Sequence, residues 1–362
     1  MAFLYGTRGE LLSGFIDLQD VVNERVSDQM VPVITDAITQ TIAVHNQTLD
    51  QMMALFVDKI SEPKLRYRTF IGHRLQPLDE NGRARKSHAS AGYEVGYPIQ
   101  SAGDAWGIDR MARIKSTVGI FNDTIATILN ADKTWVRDHI LAAIFNNTNY
   151  TFEDPEFGEL PVKALANQDG TLYLPRPSFV AGEQANHYRT VSAIDNTNQP
   201  FDTIHRDLTK RVENAGEGSV IVFIGSNLTA SVRALANFIE VEDPDIIPPL
   251  TASVLAGAPP VNVPGELIGK VDRCWIYEWS AIPDSYLVGV TTAGNRPVGM
   301  REHKEAELRG FNAWADRADA PYFERQFDRH AGFAAWNRVG AVVYQVTGGS
   351  YTVPTGYTLP MS

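Results

Sequence analysis

Cysteine is almost absent from this chain: Cys274 is the only one in 362 residues. That excludes an intramolecular disulfide and any zinc site built from several thiolates. Long apolar runs are missing too. VIVFIG (220–225) and GAVVY (340–344) are strand-sized, far short of the roughly eighteen residues of a membrane span. The opening MAFLYGTRGELL lacks the basic region, long apolar stretch and small-residue cleavage site of a secretory signal. We therefore expect a protein made in a cytoplasm, staying there or in a particle assembled there. Basic residues are outnumbered 32 to 43, for a formal net charge of −11. This disfavours a protein whose task is gripping nucleic-acid phosphates. What remains is ordinary globular material, 44% hydrophobic and 21% charged, long enough for about two domains.

The residues that could carry chemistry do not form recognised constellations. Ser226 follows the apolar run VIVFIG, but the glycine required two positions after a nucleophile-elbow serine is absent, so it reads as a helix cap. Neither a G-x-x-x-x-G-K-[ST] loop nor a strand-linked G-x-G-x-x-G occurs. Glu240, Glu242, Asp243 and Asp245 form an acidic patch without the loop glycine and terminal glutamate spacing of a calcium-binding loop. The eight histidines are dispersed, with no H-x-x-x-H pair. Asn146-Asn147-Thr148 and Asn227-Leu228-Thr229 match the glycosylation pattern, which means nothing without a secretory signal. We assign no catalytic, cofactor-binding or metal-ligating residue and expect no cofactor and no enzyme.

Extended parts dominate the organisation. Residues 18–60 carry apolar residues at three- and four-residue spacing, including Val26, Met30, Ile38, Ile42, Leu49, Met53 and Phe56, the pattern of an amphipathic helix with a break or kink at Pro32. The stripe is either core or an arm lying on a neighbouring subunit. Residues 61–108 alternate on both sides of the Asn81-Gly82 turn signal and read as a long two-stranded hairpin. The hairpin is basic: Lys64, Arg66, Arg68, Arg74, Arg83, Arg85 and Lys86 lie on it, and such a hairpin needs another surface to be stable. Asp109 is placed to cap a second long helix over 109–146, roughly 55 Å if unbroken, with Gly119 or Asn130 as possible bends. Residues 151–200 are loop-rich. From 201 a helix closing near Gly216, the buried strand SVIVFIG and a second helix capped by Ser226 or Asn227 follow in order. GKVDRCWIYEW, SYLVGVTT and PVGMREH supply further strands, and RVGAVVYQVT closes the chain with partners expected beside the long helix.

This order resembles the major capsid protein of tailed bacteriophages, the Hong Kong 97-type shell fold, across essentially the whole chain. The carriers are FDTIHRDLTKRVENAGEGSVIVFIGSNLTASVRAL (201–235), GKVDRCWIYEWSAIPDSYLVGV (269–290) and FERQFDRHAGFAAWNRVGAVVYQV (323–346). They are similar to the family's helix–strand–helix, its Ala-x-Pro turn with a "YLVG" strand, and its closing segment with an arginine before a final apolar strand. The resemblance implies an α+β fold: a helical N-terminal arm at 1–60, an extended β-hairpin E-loop at 61–108, spine helix and P-domain at 109–200, an A-domain at 201–300, and return strands of the P-domain with the C-terminus at 301–362. It implies a structural subunit that assembles with itself into pentamers and hexamers of an icosahedral shell, located in the virion and assembled in the host cytoplasm. The shell would enclose double-stranded DNA without specific binding, helped by scaffolding, portal and decoration proteins and without a membrane. Scaffolding would come from a separate protein or from a region removed before this numbering begins. Arg66, Arg68, Arg74, Arg83, Arg85 and Lys86 are the expected subunit-interface residues of the hairpin. Some family members join hairpin and P-domain by a lysine–asparagine bond. Lys86 is near the right place, but no asparagine or glutamate matches, so no crosslink is expected. The alternatives are the shell of an encapsulin-like cellular nanocompartment, or a soluble enzyme whose site carries no recognised motif.

Overall fold

The computed structural model describes residues 31–67, 78, 80–83, 92–109, 115, 117–166, 170–173, 183–184, 187–211, 218–240, 263–317 and 322–361. Its first half contains α1 (Val31–Met53), β1 (Val57–Ile60), β2 (Lys64–Tyr67), β3 (Tyr93–Gly96), β4 (Gln100–Asp109), α2 (Val118–Phe145), β5 (Tyr150–Asp154), β6 (Gly158–Val162), β7 (Leu172–Tyr173), β8 (Glu183–Gln184) and β9 (Tyr188–Val191). The second half contains α3 (Phe201–Thr209), β10 (Val220–Ile224), α4 (Thr229–Arg233), β11 (Phe238–Glu240), β12 (Glu266–Val271), β13 (Cys274–Glu278), β14 (Tyr286–Thr291), β15 (Val298–Glu302), β16 (Phe311–Arg317), β17 (Tyr322–Ala335) and β18 (Ala341–Val346). These elements form two compact units. Residues 1–53, 99–138 and 301–332 make the first, and 54–98, 139–300 and 333–362 the second.

In the first unit, Ile38 and Ile42 of α1 pack with Ile125, Ile128 and Leu129 of α2 and with Phe311 and Phe327. The helical stripe anticipated from spacing is thus a buried one. Strand β17 is the middle of an antiparallel layer, flanked by β4 in register from Gln100↔Ala331 to Asp109↔Tyr322, and by β16 with Phe311 opposite Arg329. That ladder corrects the expected start of the long helix. Asp109 is the last residue of β4, and α2 runs from Val118, about 42 Å long at 1.5 Å per residue. α2 continues unbroken through Asn130. The first helix also stops earlier than expected, at Met53, and Val57–Ile60 is a strand. Pro32 lies in α1, which continues from it to Met53; the piece expected ahead of it lies outside the described residues.

The second unit is built on a seven-stranded sheet in the order β11-β12-β13-β10-β14-β18-β9. All five residues of β10 are buried, as a continuous apolar run predicts for a strand covered on both faces. Val220, Val222 and Ile224 pack with Phe201, Ile204 and Leu208 of α3, while Phe223 meets Phe56 and Trp279 on the other side, at 5.2 and 5.6 Å between ring centroids. A nine-residue helix does not persist alone in water, so α3 exists because those three side chains are buried, each contributing about 1.5–3 kcal/mol. The closing strand β18 pairs antiparallel with β14 and parallel with β9, and Tyr286 at the start of β14 meets Phe145 at the end of α2 at 5.5 Å between ring centroids. The second helix after β10 is also shorter than expected, a single 3₁₀ turn and Thr229–Arg233. Neither Ser226 nor Asn227 caps it. Asn227 Oδ1 instead accepts the Ser285 amide at 3.1 Å, holding the turn that launches β14, where Ser285 has φ of 67°.

Residues 151–200, anticipated as loop-rich, carry the β5–β6 hairpin, which turns at Gly158 with φ of 71°. Within β14, Gly289 lies directly under α3. A Cβ there would stand 2.6 Å from Ile204 Cγ2 and 3.2 Å from Val342 Cγ1. Gly289→Ala should therefore push α3 off the sheet and cost about 1–3 kcal/mol, read as a lower denaturation midpoint of the unassembled subunit. An unchanged midpoint would contradict this packing.

Candidate assembly hairpin and the buried anchors

Strands β2 and β3 form the base of the hairpin expected at 61–108, in register Lys64↔Gly96, Leu65↔Val95, Arg66↔Glu94 and Tyr67↔Tyr93. Period-two alternation sorts the side chains by face. Lys64, Arg66 and Glu94 are exposed, whereas Tyr67, Tyr93 and Val95 are buried. Lys64 Nζ is 2.7 Å from a Glu94 carboxylate oxygen; that hydrogen bond, then the charges of Lys64 and Arg66, hold the Glu94 carboxyl below its ordinary range. Both groups are solvated, so the pair orients the strands more than it stabilises them. Asn81 and Gly82 lie in a turn, with Gly82 at φ of 70°, the left-handed backbone that glycine permits. Arg83 follows it, exposed. Of the six expected interface residues, Arg66 and Arg83 are thus described and on the surface. Arg68, Arg74, Arg85 and Lys86 lie outside the described residues, and the alternating run after Tyr93 divides, its residues from Gln100 onward belonging to β4.

The inner face of the hairpin base is unusually well held. Tyr67 and Tyr93 stack across the ladder at 5.0 Å, and Trp336 meets Tyr67 edge-on at 5.4 Å. Tyr67 Oη donates to Asn337 Oδ1 at 3.0 Å, and Tyr93 Oη donates to the Trp336 carbonyl at 3.0 Å. Arg338, with no exposed surface, places its guanidinium 4.3 Å from the Tyr93 ring centre and donates to Thr171 Oγ1 at 3.0 Å. Burial pushes the Tyr93 hydroxyl above its usual pKa, against the lowering effect of Arg338. Asn337 Nδ2 is tied in turn to the Asn295 carbonyl at 2.8 Å. The β5–β6 hairpin completes this platform: a Cβ on Gly96 would lie 2.6 Å from Leu160 Cβ.

A second buried polar group sits in the first unit. Asp132 accepts a bidentate pair from Arg329, Nε to Oδ1 at 2.5 Å and Nη2 to Oδ2 at 2.8 Å, and its Oδ2 also lies 2.8 Å from His45 Nε2. Because a carboxylate only accepts, that geometry places the ring proton on Nε2. Asn46 Oδ1 accepts from Arg329 Nη2 at 3.1 Å and from the Phe311 amide at 3.0 Å, while its Nδ2 returns a bond to the Phe311 carbonyl. The side chains of Asp132 and Arg329 are 2% and 4% exposed, so the pair has little water to fall back on. Burial alone would raise the Asp132 pKa; the hydrogen bonds from His45 and Arg329 and their charges outweigh it and hold the carboxyl below the usual carboxylate range. The group is a clasp joining α1, α2, β16 and β17.

Three other arrangements bear on chemistry. Ser101 Oγ lies 2.7 Å from His330 Nδ1, and His330 Nε2 lies 3.4 Å from Asp328 Oδ2, the connectivity of a proton relay. Ser101 and His330 face each other across the β4–β17 ladder. Among the described residues, no group of three histidine, cysteine or carboxylate side chains could hold a metal, and no helix is long and apolar enough to cross a membrane. The acidic patch after Glu240 lies outside the described residues. Cys274 is buried, its pKa pushed up to about 12 first by burial and then by Asp272 and Asp202, with Sγ 3.4 Å from the Phe201 carbonyl. Native subunits should therefore resist a thiol reagent at pH 8 and label stoichiometrically once denatured; rapid labelling of the native protein would refute this placement.

No protein-family model matches the chain, and no curated protein matches its sequence. Solved structures do. A chain from Mycobacterium phage Patience is similar over 98% of this chain and 99% of its own, with a TM-score of 0.68 at 19% identity. The capsid of the cyanophage P-SCSP1u matches at a TM-score of 0.48 and 10% identity over 96% of this chain and 94% of its own. The head of Helicobacter pylori bacteriophage KHP40 matches at 0.47 and 10% over 80% and 87%. Along nearly its whole length, therefore, this chain has the α+β fold of the Mycobacterium phage Patience chain.

Proposed function

We propose that this protein is the structural major capsid subunit of a tailed phage, assembling with itself into the pentamers and hexamers of an icosahedral shell around double-stranded DNA. The observation that carries the reading is the near-complete overlap with the Mycobacterium phage Patience chain, 98% of one on 99% of the other. In this reading residues 1–60 are the arm, 61–108 the E-loop, α2 the spine, the seven-stranded sheet the core of the A-domain, and the layer around β17 part of the P-domain. The basic hairpin, with Arg66 and Arg83 exposed, is offered to acidic surface on an adjacent copy. The role is structural and not enzymatic. Scaffolding, portal and decoration proteins are the expected partners, and the location is the virion capsid, assembled in the host cytoplasm.

Electron microscopy of the purified protein under assembly conditions tests this directly. Closed shells with five- and six-membered rings are expected, and a compact monomer throughout would overturn the reading. With a net charge of −11, the subunit should also bind duplex DNA weakly and without sequence preference at physiological salt. Such a wall lets packed DNA slide. Sub-micromolar affinity with a steep salt slope would mark a nucleic-acid-binding protein instead.

A further inference from the structure

We infer that Trp336, Asn337 and Arg338 are positioning residues that fix the orientation of the hairpin base, residues 64–67 and 93–96, with Arg338 as the lock. Three consecutive residues take hold of the two tyrosines that close the hairpin base. The Trp336 carbonyl receives the Tyr93 hydroxyl, Asn337 receives the Tyr67 hydroxyl, and the Arg338 guanidinium lies against the Tyr93 ring. Tyr67 and Tyr93 are the outermost ladder pair among the described residues, so holding them sets the orientation of the hairpin base. Turning the hairpin about this pair would pull Tyr93 from a wholly buried cation and strip both hydroxyls of their acceptors. Neither loss is repaid by water, because Tyr67 and Tyr93 are buried and Arg338 and Asn337 are 0% and 1% exposed. The lock is itself braced. Arg338 reaches Thr171, Asn337 reaches the Asn295 carbonyl, and the Trp336 amide donates to the Pro297 carbonyl at 2.7 Å. Residues 336–338 also join β17 to β18, so the hairpin is referenced to the sheet's own closing strand.

The inference rests on the shell reading only for its consequence, since a hairpin that must meet a neighbouring copy has to leave its own subunit at a set angle. The test separates the two. Hydrogen exchange is measured on unassembled full-length subunits carrying Arg338→Met, which keeps an apolar stem and removes the cation, or Tyr93→Phe, which removes one hydroxyl only. Amides of 64–67 and 93–96 should exchange at least tenfold faster in Arg338→Met and severalfold faster in Tyr93→Phe, with those of Val220–Ile224 unchanged. Cleavage by trypsin between 68 and 92 should accelerate in parallel. Under assembly conditions Arg338→Met should give open or irregular particles where the parent gives closed ones. Unchanged exchange at the hairpin base in the folded variants, or equal acceleration in β10, would overturn the lock. Should Arg338→Met fail to fold, Tyr93→Phe and Asn337→Ala decide by the same readout. A parent that forms no shells, with the exchange pattern as expected, would sink the shell reading alone.

Discussion

Asp132→Asn should destabilise the unassembled subunit by about 3–5 kcal/mol, seen as a large drop in the denaturation midpoint. The asparagine is isosteric but neutral, so Arg329 would keep its place, 4% exposed at the side chain, with its charge uncompensated. Adding Arg329→Met should recover most of the loss, because removing both charges leaves only a repacked apolar site. Failure of the second substitution to rescue would show that the clasp acts through Asn46 and the Phe311 backbone and not through the charge pair. The pH dependence has a definite sign. The folded carboxyl titrates below its ordinary value of 3.8, so its stabilising contribution is complete above that value and is lost as pH falls through the lower, folded one. Acid unfolding of the first unit should consequently begin only below about pH 4 in the parent, while Asp132→Asn removes this component of the acid transition.

Reversing Arg83, Arg85 and Lys86 together to glutamate should suppress shell formation while leaving the subunit folded. Arg83 is exposed beside the Gly82 turn, where a substitution typically changes folding stability by no more than about 0.5 kcal/mol. Assembly is different. In the proposed shell, each reversal would swing two units of charge on a chain already at −11, turning an attraction between copies into a repulsion repeated at every interface. Light scattering and microscopy should show subunits or small rings at a salt concentration where the parent closes, with an unaltered melting curve for the unassembled form. Normal shells of equal salt resistance would dismiss the hairpin tip as a contact.

Some of this was legible in the residues and some was not, for identifiable reasons. Continuous apolar runs such as 220–224 and 286–291 announce strands covered on both faces, and both are central in the seven-stranded sheet. The stripe on α1 was equally plain. Strand β4 was legible only as part of the hairpin and not as a separate strand, because its partner β17 lies more than 200 residues later in the chain. The clasp was missed because its members are far apart in sequence, 87 residues between His45 and Asp132 and 197 between Asp132 and Arg329. A signal existed nonetheless. Asp132 continues the run Ile125, Ile128, Leu129 toward Val136, and His45 continues Ile38 and Ile42 toward Leu49, so a polar residue occupies a core position on each helix. The same holds for Arg338, a cation just ahead of the apolar strand 341–346. Its role came into view only with Tyr93, 245 residues earlier in the chain, stacked beneath it.

Each unit is stitched from three separated stretches of chain, the first needing residues 301–332 and the second 333–362. On a ribosome adding roughly 5–20 residues per second, Asn46 emerges some 15–55 s before Arg329, its partner 283 positions later. Neither unit can complete its core before its last stretch, 301–332 or 333–362, has emerged, and the long sequence separation of its contacts slows folding further. Early apolar segments such as α1 must wait unpaired, which makes them natural clients for a chaperone. A polypeptide released before residue 301 would hold neither unit complete.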